Sequence, residues 1–260
     1  MIYSYSSIST YQLCPKKFSF QYKERLKVPQ KTSIEMFMGK IIHESLEELY
    51  HQKESGSIWD SEKLVNDFEE RWTHQFDSNT ILVTKNNESY FKDWGIHCLR
   101  QYHEKNHPFS EETIGIEQSI TFNVGKDGAQ MRGVIDRIIQ KNENYIQILD
   151  YKTYHQLPAP NWFDENEQLA LYQIWAQKAF PKARQIELVW DFVGLNEVVQ
   201  KELTVEQLDH VQTKTVQAIQ TIERTKTFLP HTGDHCVTCS FQPHCPAFQS
   251  NKSKTLFDFA

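Results

Sequence analysis

The sequence predicts an α/β fold in which a central β-sheet is flanked by helices. Alternating apolar residues are typical of half-buried strands, and they occur over 114–124 and over both halves of 133–153. Short polar turns separate these three segments, which predicts an antiparallel meander. A helix over 164–179, a strand over 186–193 and an amphipathic helix over 204–225 follow. The meander and these three elements form the predicted α/β core.

The N-terminal part of the chain is predicted to be mostly helical. A short helix before Pro15 precedes a longer one over 34–50, whose apolar residues recur at helical spacing. Two further apolar stripes predict a helical insert over 58–107. Cys98 lies on one of these stripes and is therefore interpreted as a core residue. With 260 residues the chain is long enough to bury a large core, and we expect one domain over 1–260.

The hairpin within 133–153 places two carboxylates opposite each other. If the chain turns about Glu143, Asp136 faces Asp150, and cross-strand partners bring their Cβ atoms to about 4.5–5.5 Å. Two ionised carboxylates repel at that distance, whereas a divalent cation between them creates a binding site. Lys152 lies two residues beyond Asp150 and therefore on the same face. Two acids and a lysine on one face suit metal-assisted hydrolysis of a phosphodiester.

Four other polar side chains need support from elsewhere before a functional role is assigned. His43 borders the apolar face of the 34–50 helix, where a histidine is usually a packed or surface residue. Glu117 lies on the first strand of the meander, and we interpret it as a solvated acid. Gln168 and Tyr172 are four residues apart and therefore share one face of their helix.

A second group of reactive side chains lies near the C-terminus. Cys236, Cys239 and Cys245 have the spacing C-x2-C-x5-C, which allows three thiolates to chelate one metal centre. A four-coordinate site needs one more ligand, and Cys14 beside Pro15 is the expected donor. The alternative donors are nearby histidines that would suit zinc, namely His231, His235 and His244.

Composition and charge limit the classes of function. The net charge of −6 gives no general attraction for nucleic acid, although a carboxylate metal site contributes to it and basic residues can cluster locally. No apolar run approaches the length of a membrane span, and the first residues do not resemble a signal peptide. We therefore expect a cytoplasmic protein without membrane association, in which the five cysteines do not form a disulfide framework.

Five segments of the sequence resemble the RecB-type branch of the PD-(D/E)XK nuclease superfamily. Within that branch they resemble the Cas4-like exonucleases that contain an iron–sulfur cluster. The segments precede the C-terminal cysteines, and together they span nearly the whole chain: SSISTYQLCPKKF, MGKIIHESLEE, RGVIDRI, ILDYKT and QLALY. The resemblance implies a restriction-endonuclease-like core with a central mixed β-sheet flanked by helices, the helical insert, and a C-terminal iron–sulfur region over 230–248.

The resemblance also implies a role for the polar residues of the core. The catalytic group would be Asp136, Asp150 and Lys152. Mg²⁺ or Mn²⁺ would be bound by four groups, which are the side chains of His43, Asp136 and Asp150 and the main-chain carbonyl of Tyr151. The side chains of Gln168 and Tyr172 would contact DNA near the scissile phosphate.

The cysteines gain a role from the same resemblance. A [4Fe–4S] cluster would be ligated by Cys14, Cys236, Cys239 and Cys245, with Zn²⁺ as the alternative occupant. One ligand lies near the N-terminus and three lie near the C-terminus, as in the family. Such a cluster would join the two ends of the chain and stabilise the fold, because binding energy at the site becomes folding energy.

Together these observations predict a metal-dependent DNA nuclease. We expect an exonuclease on single-stranded DNA or DNA ends, in DNA repair, recombination or CRISPR adaptation. The alternative is a nuclease-fold DNA-binding subunit of a larger recombination or integration complex. A zinc-stapled binding module without catalysis is a third interpretation, but it leaves the paired acids unexplained. The sequence has no P-loop pattern, so a helicase, like a CRISPR integrase, would be a separate partner.

The tail over 249–260 suggests one further partner. Within 253–259, three apolar residues follow a polar linker, as in a sliding-clamp-binding peptide: Leu256, Phe257 and Phe259. Ser253 stands where such a peptide usually has glutamine. Docking of the tail on its own domain is the alternative.

Overall fold

The structure is a computed structural model that describes residues 1–83, 86–125 and 128–249. Within these ranges the strands are β1 (Thr32–Ser33), β2 (Ile81–Leu82), β3 (Glu112–Val124), β4 (Ala129–Asn142), β5 (Tyr145–Lys152), β6 (Gln185–Phe192) and β7 (Glu197–Lys201). β3 to β7 form one sheet in chain order, and β1 pairs with β2 separately. β5 and β6 are parallel, whereas the other neighbours in the large sheet are antiparallel. The predicted central mixed sheet is therefore confirmed.

Helices flank this sheet. They are α1 (Tyr5–Leu13), α2 (Pro15–Phe18), α3 (Ile34–Glu54), α4 (Ser61–Gln75), α5 (Glu88–Asn106), α6 (Trp162–Glu165), α7 (Gln168–Ala179), α8 (Val205–Arg224) and α9 (Pro246–Gln249). The helical content predicted for 58–107 is present as α4 and α5. The helix expected over 164–179 is divided, because Asn166 is extended and its side chain accepts a hydrogen bond from the main-chain N–H of Gln168. No helix within the described ranges has both the length and the apolar composition needed to cross a bilayer.

The central strands β4 and β5 are buried on both faces. Because successive side chains point to opposite faces, Ile138 and Ile148 pack with α7 and α8. Ile139 and Leu149 pack on the other face with α3, α4 and α5. The predicted hairpin register is confirmed, since Ile138 pairs with Ile148. The sequence pattern did not predict β7, an edge strand whose side chains are mostly exposed and therefore show little apolar alternation.

The N-terminal and C-terminal segments lie side by side. The main-chain N–H of Lys16 donates to the carbonyl oxygen of Leu229 at 3.2 Å, and the hydroxyls of Tyr11 and Thr225 share a hydrogen bond of 2.7 Å. These contacts hold Cys14, between α1 and α2, next to the C-terminal loops. The segment 253–259, predicted to be a clamp-binding peptide, lies outside the described residues.

Candidate active site

Two acidic residues and a lysine meet at one end of the β4–β5 pair. The pairing of β4 with β5 ends at Arg137, which lies opposite Leu149. Extending this register by one residue on each strand places Asp136 opposite Asp150. With Lys152, these residues line a cavity of about 1110 Å³ between α3 and the sheet. The structure therefore brings together the three residues that the hairpin pattern placed on one face.

The Asp150 carboxylate is buried beside a single ammonium group. Its Oδ2 forms an ion pair with Nζ of Lys152. Burial raises the pKa of Asp150 to about 6; repulsion by Asp136 adds to this shift, and attraction by Lys152 opposes it. Burial alone would lower the pKa of Lys152, but Asp150 raises it above its ordinary value. Lys152 is therefore charged at neutral pH.

Helix α3 brings His43 to the same cavity. The helix is capped by Ser33, and its apolar face packs on the sheet, which leaves His43 at the border of that face. His43 Nε2 lies 3.1 Å from the carbonyl oxygen of Tyr151, and Nδ1 lies 3.5 Å from Oδ2 of Asp136. Burial by itself would lower the pKa of His43, but the Asp136 and Glu117 carboxylates raise it well above its ordinary value.

Glu117, interpreted from the sequence as a solvated acid, lies in this cavity. Its Oε1 is 3.8 Å from Nδ1 of His43. The potential ligand atoms of His43, Glu117 and Asp136 all lie within 4.8 Å of one another, a compact group that does not include Asp150. The position of Glu117 beside Asp136 could have been predicted from the sequence, because a turn centred between Gly125 and Gly128 places these two residues opposite each other.

Gln168 and Tyr172 occupy different positions relative to the cavity. Gln168 lines it, and its Nε2 donates a 3.1 Å hydrogen bond to the hydroxyl of Tyr172. Tyr172 is buried behind Gln168, and this burial raises its pKa to about 12. Its ring packs on Gly133, where an added Cβ would lie 2.4 Å from Cε1 of the tyrosine. Tyr172 therefore supports Gln168, and contact of either residue with DNA stays a prediction.

A buried hydrogen-bond network supports the site from the other face of the sheet. Arg137 is 2% exposed, and its Nη1 donates to the hydroxyl of Tyr50 at 2.6 Å. The hydroxyls of Tyr50 and Tyr102 are 2.6 Å apart, and those of Tyr102 and Tyr151 are 3.0 Å apart. This chain of contacts fixes the side chain of Tyr151, so its main-chain groups are held toward the cavity. No sequence pattern singled out Arg137.

The predicted cluster ligands share one narrow cavity between the N-terminal helices and the C-terminal loops. It is lined by Cys14, Cys236, Cys239 and Cys245. All four are free thiols, and the main-chain N–H of His231 donates to Sγ of the buried Cys14 at 3.4 Å. Within the described part of the chain, no three sulfur or imidazole nitrogen atoms here lie within 4.8 Å of one another. Cys98 is buried in the helical core, as predicted.

The sequence matches a family model over most of its length. The model is that of the PD-(D/E)XK nuclease superfamily, and it matches residues 2–246. Among solved structures, a candidate exonuclease from Eubacterium rectale has a TM-score of 0.50 at 12% identity, over 100% of this chain and 90% of that chain. The structure of SSO0001 covers 94% of this chain and 98% of its own at 15% identity, but its TM-score of 0.35 is too low to support an argument. None of the curated proteins compared with the sequence matches it.

Proposed function

Because the chain belongs to the PD-(D/E)XK nuclease superfamily, we propose that it is a divalent-metal-dependent deoxyribonuclease. Nucleases of this superfamily are metal-dependent hydrolases. One observation carries the proposal: Asp136, Asp150 and Lys152 lie where the β4–β5 pairing ends and face one cavity. We assign catalysis to these three residues.

The donor groups in the cavity fit a hard divalent cation. The cavity brings together carboxylate oxygens and one imidazole nitrogen, and oxygen-rich sites suit Mg²⁺ and Mn²⁺. The groups that would hold the cation are the side chains of His43, Asp136 and Asp150, with the Tyr151 carbonyl beside them. When bound, the cation supplies charge on the scissile phosphate and lowers the pKa of an attacking water.

The remaining chemistry comes from the chain itself. Lys152 is charged and faces the cavity, so it donates to phosphoryl oxygens and offsets the negative charge that grows on them in the transition state. Gln168 lines the same cavity and is held by Tyr172, so its amide orients the strand near the scissile phosphate. Neither group needs to accept a proton for these roles.

We further propose that the substrate is single-stranded DNA or a DNA end, cut by an exonuclease. An aromatic surface at the cavity mouth supports this: Tyr154 is 41% exposed, and the ring of His155 stacks on Trp94 at a centroid distance of 4.3 Å. Exposed aromatic rings stack on the bases of unpaired strands. The description of the Eubacterium rectale neighbour as a candidate exonuclease agrees with the proposed mode of cleavage. The setting would be cytoplasmic DNA repair, recombination or CRISPR adaptation, with a helicase or integrase as a separate partner.

We also propose a [4Fe–4S] cluster on the four cysteines that share the second cavity. Zn²⁺ is the alternative occupant, because four thiolates also suit a structural zinc site. The cysteines come from both ends of the chain, so a cluster there would hold the N-terminal helices against the C-terminal loops.

The test is cleavage of end-labelled single-stranded and double-stranded DNA by anaerobically purified protein with Mn²⁺, beside the Asp136→Asn variant. We expect degradation from strand ends by the wild-type protein and none by the variant. Equal cleavage by both proteins, or no cleavage of any substrate by folded wild-type protein, would contradict the proposal.

A further inference from the structure

We propose that Glu117 is a further ligand of the catalytic cation, acting with Nδ1 of His43 and with Asp136. This inference rests on the proposed nuclease function and adds a residue that the D-x-K pattern does not contain. It also gives the Tyr151 carbonyl a different role, as the group that orients the His43 ring from outside the coordination shell.

The register of the sheet puts Glu117 where a ligand is needed. Ile116 pairs with Arg137 and Gln118 pairs with Ile135, so Glu117 lies directly across from Asp136. Asp136 in turn lies across from Asp150. Three carboxylates therefore stand in a row on three adjacent strands, and all three line the same cavity.

The backbone of Glu117 has an unusual conformation. Its φ is +40°, in the left-handed region that residues with a Cβ rarely adopt. Such a conformation is strained and is found most often at functional sites. Here it occurs within a long strand, at the residue whose carboxylate approaches His43.

The two nitrogens of His43 have different neighbours. A carbonyl oxygen only accepts hydrogen bonds, so the 3.1 Å contact with Tyr151 places the hydrogen on Nε2. Nδ1 faces two carboxylate oxygens, 3.5 Å away on Asp136 and 3.8 Å away on Glu117. A cation bound at this point would contact the ring nitrogen and both carboxylates.

The distances suit ligands of one cation. With metal–ligand distances of about 2.1 Å, adjacent ligand atoms lie about 3 Å apart and opposite ones about 4 Å apart. The Asp136 and Glu117 contacts to Nδ1 fall in this range.

The experiment measures metal binding rather than cleavage. Mn²⁺ affinity is determined by titration calorimetry, and water molecules on bound Eu³⁺ are counted from luminescence lifetimes in H₂O and D₂O. We expect Glu117→Gln to weaken Mn²⁺ binding about tenfold or more and to add coordinated water on Eu³⁺. Glu47→Gln is the matched control, because Glu47 lines the same cavity on α3 and also carries one negative charge. Glu47→Gln should change neither the Mn²⁺ affinity nor the number of water molecules on bound Eu³⁺.

A second variant separates ligation from folding. Glu117→Gly removes the carboxylate and favours a positive φ, so it should raise the melting temperature of metal-free protein while weakening Mn²⁺ binding. Unchanged Mn²⁺ affinity and Eu³⁺ hydration in folded Glu117→Gln or Glu117→Gly would overturn the assignment. If Asp136→Asn still loses Mn²⁺ binding in that case, the proposed function stands and this inference alone is wrong.

Discussion

The main-chain N–H of Tyr151 donates a 2.8 Å hydrogen bond to Oδ2 of Asp136. At the point where the β4–β5 pairing ends, a side-chain oxygen of β4 thus accepts the hydrogen bond that a main-chain carbonyl oxygen would accept within the sheet. The contact fixes the Asp136 carboxylate, whose Oδ2 also lies 3.5 Å from Nδ1 of His43. The acid is therefore positioned by the backbone that carries Asp150 and Lys152.

This hydrogen bond predicts different effects for two substitutions of Asp136. Asparagine keeps an acceptor for the Tyr151 N–H, whereas alanine leaves that buried donor without a partner. We expect both variants to lose cleavage, and Asp136→Ala in addition to be less stable than Asp136→Asn by about 1–3 kcal/mol. Denaturant unfolding of the two metal-free variants measures this difference. Equal stabilities would show that the hydrogen bond contributes little to the fold.

Lys152 provides the second prediction. Replacing it by alanine removes the ammonium that faces the phosphoryl oxygens, so kcat should fall about 100-fold or more. Lys40→Ala is the matched control, because Lys40 lines the same cavity but pairs with Glu44 on the helix surface. Its activity should stay within a few-fold of the wild type. A comparable loss in both variants would mean that only the overall charge of the cavity matters.

The site residues differ in how far the sequence predicted them. Asp136 and Asp150 were predictable because the short polar turn between β4 and β5 fixes their register locally. Glu117 needed the register of the preceding hairpin as well. The approach of His43 depends on the packing of α3 across the sheet, which no local pattern encodes. Arg137 was missed because an arginine in a strand is normally solvent-exposed, whereas here three tyrosines from three elements surround it.

The pKa of Asp150 predicts how the stability of metal-free protein depends on pH. An acid whose pKa rises from 3.8 to about 6 on folding destabilises the folded state once it ionises there. This destabilisation is absent below the pKa that Asp150 has in the unfolded chain. It grows as pH rises from about 4 to about 6 and then stays constant. A shift of this size corresponds to about 3 kcal/mol.

We therefore expect metal-free Asp150→Asn to be more stable than the wild type at about pH 7.5. The difference should shrink below about pH 6 and vanish near pH 4. Urea unfolding of both proteins across this range tests it. A stability difference that is independent of pH would contradict the assignment to Asp150.

The contact between Gly133 and Tyr172 gives the fourth prediction. A methyl group at residue 133 would meet the tyrosine ring at 2.4 Å, so the ring of Gly133→Ala must move. Because Tyr172 accepts the hydrogen bond from Gln168, the displacement should also shift Gln168 and reduce cleavage, while circular dichroism shows a folded protein. Val134→Ala, at the exposed neighbouring position, should keep wild-type activity. Full activity in Gly133→Ala would argue against a role for this pair in orienting the strand.

The cysteine cavity leads to the last prediction, which depends on the proposed cluster. Cys14 lies on the N-terminal segment and the other three ligands lie beyond residue 235, so the cluster would tie together segments far apart in the chain. Cys14→Ala should lose the iron and the visible absorbance of anaerobically purified protein and should melt at a lower temperature. Cys98→Ala is the control, because Cys98 is equally buried but lies in the helical core, away from that cavity. It should keep its iron even if the new core cavity lowers its melting temperature. Wild-type protein that contains stoichiometric zinc and no iron would show instead that the four cysteines close around a single ion.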